Sequence, residues 1–221
     1  LTISKDYSDT IESLIKGDVD FVRVGPASYV TAKGRQAGIE LIAMETEGGD
    51  KRFKGVVVVR RDNPIKSLAD LKGKKFAFGD QNSTIGRYLI QAELFKAGIT
   101  SADLAGFKYL GRHDIVASAV EIGDYDAGSV MQSAFEKANA KGNLRVLAEF
   151  DNVTKPWVAR KGLDKTILEA IQSALYAIKD PAILKGLKIS GFVAASDDEY
   201  KFVRDGMQLA EKFLENARSG Q

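Results

Sequence analysis

The chain has 221 residues, 44% hydrophobic and 28% charged, with a formal net charge of +2. That is room for one large domain or two small ones with a real core, and it lacks the basic stripe expected of a nucleic-acid binder. There is no cysteine and one histidine, His113, so disulfides, thiolate metal centres, cysteine nucleophiles and multi-histidine sites are excluded, and nothing in the sequence calls for a metal or a cofactor.

Strand-like and helix-like patterns alternate along the chain, which predicts an α/β fold. Leu1 leads directly into a strand-like pattern, with no leader peptide in view and no stretch long and apolar enough to span a membrane. Residues 9–16 read as a helix closed by Gly17, residues 19–24 as a strand ending at Gly25-Pro26-Ala27-Ser28, residues 29–37 as a helix and 39–44 as a strand. Residues 54–60 hold four consecutive valines, suited to a buried strand. Ser67-Leu68-Ala69-Asp70 resembles a capping box with Asp in place of Glu. A strand at 75–78 runs into the turn Gly79-Asp80-Gln81-Asn82-Ser83-Thr84-Ile85-Gly86, which opens a helix to about Ala97. The unit recurs as a strand at 107–110, a turn at Gly111-Arg112-His113-Asp114 and a helix at 115–122. A strand at 126–131, a helix at 133–140 and a strand at 144–150 follow. Residues 151–156 break the pattern. From Asp164 the chain reads as mainly helical, with Asp180-Pro181 starting one helix.

Three strand-to-helix turns carry the chemistry. In the 79–86 turn, backbone N–H groups at a helix N-terminus carry partial positive charge and suit an anion. Ser83 and Thr84 add hydroxyls, and Gly86 permits close backbone approach; the other reading is a plain helix cap. His113 and Asp114 occupy the equivalent turn of the next unit, where ligands of open α/β sheets collect. His113 can donate to an oxyanion. Asp114 can accept a ligand proton or cap its helix. In the third turn, Gly25, Pro26, Ser28 and Tyr29 form another helix start, read either as an anion contact or as a tight turn over a buried Tyr29. Asp126 opens a strand and either faces a crevice or ends a turn. Trp157 either lines a cleft or packs in a core. No P-loop, nucleophile elbow or dinucleotide fingerprint is present, and His113 adjacent to Asp114 is poorly placed to be oriented by it. Binding without catalysis is the better reading, with no catalytic residue.

The order of these signals resembles the periplasmic phosphate, phosphite and phosphonate binding proteins of ABC importers, a subgroup of type II solute-binding proteins. The resemblance rests on Gly17-Asp18-Val19-Asp20, the Gly25-to-Tyr29 stretch, the run from Ser67 to Asp80, Ser83-Thr84, Gly86, His113-Asp114 and Asp126-Ala127-Gly128. It implies two α/β lobes joined by two crossover strands: 1–58 with 157–221, and an inserted lobe, 63–151. The crossings would lie at 54–61 and 152–157, and the family's first strand and helix would precede Leu1. It implies an interlobe cleft that closes on a small phosphorus oxyanion. Ser83, Thr84, Ile85, Gly86, His113, Asp114, Gly25, Pro26, Ser28, Tyr29 and Asp126 would be its binding residues. It also implies a monomer that partners a membrane permease, in the periplasm or outside the cytoplasm, with a lipoprotein tether as one form. The anion turn commonly reads Ser-Thr-Ser-Gly, and Ile85 replaces its third residue. A ligand sensor ahead of a signalling domain, or an enzyme on the same fold, are the rival readings.

Overall fold

The computed structural model describes residues 3–215, which form two compact units. One runs to Phe53 and resumes over Val153–Phe202; the other holds Lys54–Asn152 and the chain from Val203 onward.

The first unit begins with α1 (Tyr7–Lys16), two residues ahead of its expected start because Asp6 caps it. The Asp6 carboxylate accepts from the Asp9 amide at 2.9 Å, and Gly17 closes the helix at φ 81°, a conformation that costs glycine little. After it come β1 (Phe21–Arg23), α2 (Pro26–Arg35), β2 (Glu40–Thr46) and the first residues of β3 (Arg52–Arg60). The second unit takes up β3 and adds β4 (Lys75–Phe78), α3 (Ile90–Lys96), β5 (Gly106–Tyr109), α4 (His113–Glu121), β6 (Ala127–Met131), α5 (Gln132–Ala138) and most of β7 (Leu144–Val153). The chain then returns to the first unit through β8 (Pro156–Ala159), α6 (Lys165–Ala177), α7 (Pro181–Leu187) and β9 (Gly191–Val193). It ends its described part with α8 (Lys201–Glu215).

The sheet of the first unit has the order β1-β8-β2-β9, with β8 antiparallel to both neighbours. Its core gathers Ile42, Ala43, Ala159, Leu163, Leu175 and Phe192 under α6 and α7. The sheet of the second unit has the order β5-β4-β6-β3-β7; β4 is parallel to β5 and β6, and β3 is antiparallel to β6. Val56, Val57, Val58 and Val59 are all fully buried. A strand whose alternating side chains are all hidden must be covered on both faces, as β3 is here. Ser67 and Asp70 form the capping box that the sequence suggested: the shorter Asp70 carboxylate accepts from the Lys66 and Ser67 amides, both at 2.9 Å.

Three features differ from the sequence-based expectations. The segment 151–156 is not an irregular breaker: β7 continues to Val153, and Pro156 opens β8, where a residue without an N–H is tolerated. A short strand, β9, interrupts the helical C-terminal part and pairs with β2 through Met44, Glu45 and Thr46. Finally, α8 counts with the second unit from Val203 onward, so the chain passes between the units three times rather than twice. Val203, Gly206, Ala210 and Phe213 make its buried stripe. Gly206 packs closely there: a Cβ would come within 2.7 Å of Leu89 Cδ2, so that leucine would have to shift.

Candidate binding site

The second unit concentrates its candidate residues at one edge of its sheet. β4, β5 and β6 run in the same direction, so their carboxyl ends share that edge. The Gly111 amide donates to the Gly79 carbonyl at 3.2 Å and the Leu110 amide to the Phe78 carbonyl at 2.9 Å. These bonds zip the turn after β5 onto the turn after β4, so the Ser83-Thr84 turn and the His113 turn are neighbours. The register Gly55↔Met131 places the start of β3 at the same edge.

The 79–86 turn is unusually tight. The Gly79 amide donates to the Gly86 carbonyl at 2.7 Å, and a Cβ built on Gly86 would stand 2.7 Å from Gly79 Cα and 3.1 Å from its nitrogen. Glycine is required on both sides of this contact. Ser83 is the N-cap, and its Oγ accepts from the Gly86 amide at 2.9 Å. The first turns, Thr84–Leu89, are wound as a π-helix before the chain settles into α3; the Ser83 carbonyl accepts from both Arg87 and Tyr88 amides, at 3.1 and 3.2 Å. Such wide turns recur at functional sites. Their N-terminal amides point off the helix end with the positive side of its dipole. Ser83 and Thr84 are each 6% exposed, so a bound anion here would be largely out of water.

Ile85 behaves differently from a hydroxyl-bearing residue. It is 3% exposed, and its Cγ2 would lie 3.1 Å from a Cβ on Gly55, a position that Phe150 also crowds. Its side chain is therefore part of the core. Its carbonyl accepts from the Ser129 hydroxyl of β6 at 2.9 Å, which anchors the turn from beneath.

His113 is the first residue of α4 and is half-buried. Asp114 is exposed and forked by Arg112, with Nε to Oδ1 at 3.0 Å and Nη2 to Oδ2 at 2.7 Å. The Arg112 guanidinium holds the Asp114 carboxyl below its ordinary pKa. Asp114 is thus an ionised, occupied carboxylate and a poor acceptor for a ligand proton. Sequence reasoning passed over Arg87, a mostly buried cation that braces the anion turn. Its Nη1 donates to the Gln81 carbonyl at 2.8 Å, and its guanidinium sits 4.5 Å above the Tyr88 ring. The only signal for it was its place one residue after Gly86.

Asp126 does not join this edge. It precedes the amino end of β6, where its carboxylate accepts from the Lys75 amide at 2.8 Å and its own amide donates to the Lys75 carbonyl at 3.0 Å. β4 lies between it and the 79–86 turn, roughly 10 Å of strand at about 3.3 Å per residue. Its role is to cap the opposite edge of the sheet.

The 25–29 turn belongs to the first unit. Gly25 is the N-cap of α2 without a side-chain cap, and Pro26 fills the first helical position, where its missing N–H costs nothing. Ser28 is therefore inside the helix; it is 3% exposed, and its Oγ has no hydrogen-bond partner. Tyr29 is 1% exposed, its hydroxyl donates to Asp197 at 2.7 Å, and its ring meets Tyr200 edge-on at 4.8 Å. These contacts make it a core residue. Nearby, Trp157 of β8 is half-buried rather than loose. Its Nε1 donates to Glu45 at 2.9 Å, and its ring stacks with Phe21 and meets Phe192 edge-on.

Two parallel-sheet turns are zipped together at the carboxyl edge, and one of them, glycine-tight and rich in hydroxyls, has the chemistry that suits an anion. Comparison with known proteins extends this. Residues 1–200 match the family described as "ABC transporter, phosphonate, periplasmic substrate-binding protein", and the chain belongs to it, with the type II periplasmic-binding-protein fold. The probable ABC transporter phosphite binding protein PhnD1 of Prochlorococcus marinus is 27% identical over 90% of this chain and 74% of its own length. The phosphate-import protein PhnD of Mycolicibacterium smegmatis is 31% identical over 64% of this chain and 48% of its own. The solved structure of the Prochlorococcus protein in complex with methylphosphonate superposes with a TM-score of 0.82 at 25% identity, covering 96% of this chain and 85% of that one. The family is one of substrate-binding transport proteins, located in the periplasm and serving a membrane permease.

Proposed function

We propose that the chain captures a small phosphorus oxyanion (phosphonate, phosphite or phosphate ester) as a monomer and presents it to the importer's permease. Ser83, Thr84 and the first-turn amides, including that of Ile85, hold the anion, and His113 lies beside them. The observation that carries this reading is the Gly111-to-Gly79 hydrogen bond, which brings both turns to one edge. The loss of a hydroxyl at Ile85 leaves the turn one donor short of the Ser-Thr-Ser-Gly pattern. A charge-assisted hydrogen bond contributes about 1.5–3 kcal/mol, enough to shift the preference among these oxyanions. Gly25 of the first unit remains a candidate contact through its backbone; a lipid-modified N-terminus is the proposed form of attachment.

The test is calorimetry with phosphite, methylphosphonate, phosphate and methanesulfonate, on the wild type and on a Ser83→Ala/Thr84→Ala variant. At least one phosphorus anion should bind the wild type, and the variant should bind it more than tenfold more weakly. Equal affinities would refute the assignment of the turn, and a preference for methanesulfonate would refute the ligand class.

A further inference from the structure

The first unit contains a cluster of charge that the binding reading does not use. Arg23, at the end of β1, forks Glu45 of β2 with Nε to Oε1 at 2.5 Å and Nη2 to Oε2 at 2.9 Å. The Trp157 indole donates to the same Oε1. Both Glu45 oxygens are thus occupied, and the side chain is only 4% exposed. Lys155 stands next to this group. Its carbonyl accepts from the Glu45 amide at 3.0 Å, and it precedes Trp157 by two residues in extended chain, which puts the two side chains on one face.

Lys155 is half-buried, yet no carboxylate of the described residues lies within ion-pair distance of its amine, and no hydrogen bond satisfies it. Its charged neighbours, in order of influence, are Arg23, Glu45, Glu47 and Lys188. Glu45 is already committed to Arg23 and Trp157. Glu47 is exposed, and its backbone closes a turn with that of Asp50. Lys188 follows α7 at φ 58°, the one non-glycine residue with positive φ among those described. Burial and the Arg23 guanidinium both press the Lys155 amine toward its neutral form. The amine is not among the fully buried polar atoms of the described residues, so water meets its three donors and an anion can reach it. Such an arrangement is expected where an anion arrives later.

We propose that Lys155, backed by Arg23 and Lys188, is an anion contact of the first unit that takes an acidic oxygen of a small oxyanion; this rests on the reading of the chain as an oxyanion binder. Glu45 holds Arg23 in place and offsets its charge, so Lys155 is the cation left to meet the ligand.

The chain's only tryptophan reports on the cluster directly. Trp157 emission would be followed while inorganic phosphate and methylphosphonate are titrated into the wild type, Lys155→Met and Lys155→Arg, with melting temperatures recorded at pH 7. The expected result is an emission change in the wild type, a more than tenfold weaker response in Lys155→Met, and recovery in Lys155→Arg. Because Met removes the unpaired charge and keeps the apolar stem, that variant should melt no lower than the wild type. Unchanged affinity in Lys155→Met, or no emission change in the wild type at concentrations where calorimetry shows binding, would overturn the proposal. The two readings fail separately: equal binding by Ser83→Ala/Thr84→Ala alone removes the turn of the second unit, and equal binding by Lys155→Met alone removes this contact.

Discussion

The 79–86 turn of the second unit and the 25–29 turn of the first solve the same problem, a strand passing into a helix, with opposite uses of a serine. Ser83 sits at the N-cap, and its hydroxyl satisfies the Gly86 amide. Ser28 sits two positions past a proline in the first turn of α2, and its hydroxyl is buried with no hydrogen-bond partner. In the second unit the polar groups therefore build the end of the helix, whereas in the first the backbone builds it and the serine is packing. A serine near a helix start says little about anion binding until its cap position is known.

The largest expected effect breaks the tight turn. Gly86→Ala would drive a Cβ to 2.7 Å from Gly79 Cα, a backbone contact that cannot give way as a flexible side chain can. Oxyanion affinity should fall roughly a hundredfold, and stability should fall by about 1–3 kcal/mol, as for overpacked cores. Calorimetry and a denaturant titration would check both.

The two serines give the next contrast. Ser83→Ala removes a cap and should cost about 0.5–2 kcal/mol of stability. Ser28→Ala removes a buried hydroxyl with no partner, so stability should stay level or rise by up to about 1 kcal/mol, with oxyanion affinity unchanged. Urea unfolding of both variants measures the difference, and a clear loss of affinity in Ser28→Ala would restore that serine to the binding site.

The smallest effect concerns Asp70, whose cap lies ahead of β4, at the end of that strand opposite the 79–86 turn. Bonds from the Lys66 and Ser67 amides hold its carboxyl below the ordinary range. With the folded pKa below the unfolded value of about 3.9, its stabilisation is present above that value and is lost as pH falls through the folded one. Asp70→Asn should therefore flatten the fall in melting temperature below about pH 4 and leave oxyanion binding as it was.

The sequence showed the elements better than their surroundings. β4 was legible residue for residue, because a short apolar run between Gly73 and Gly79 admits few readings. The neighbouring turns at Ser83 and His113 were legible because parallel strands must end on one edge. Asp126 was open to two readings, and the parallel pairing of β6 with β4, which puts the opening of β6 at the edge opposite the two turns, decided for the turn. The π-winding of the anion turn was hidden. It accompanies the contact between Gly79 and Gly86, and no local propensity encodes it. Tyr29 was open to two readings, which burial against Tyr200 and Asp197 decided. Lys155 carried no sequence signal: its isolation depends on Glu45 being committed elsewhere, and residues more than a hundred positions apart arrange that.

The third passage of the chain through α8 sets an order of assembly. Phe213 packs against Phe78 and Phe107 with ring centroids 5.9 and 6.4 Å away, and Gly206 lies against Leu89. The strands that α8 covers are made well before it: Phe78 and Phe107 precede Phe213 by more than a hundred residues. A growing polypeptide would carry Phe78 and Phe107 unsheltered while more than a hundred further residues are added. The second unit can therefore pack α8 onto these strands only after the chain of the first unit, up to Phe202, has been synthesised.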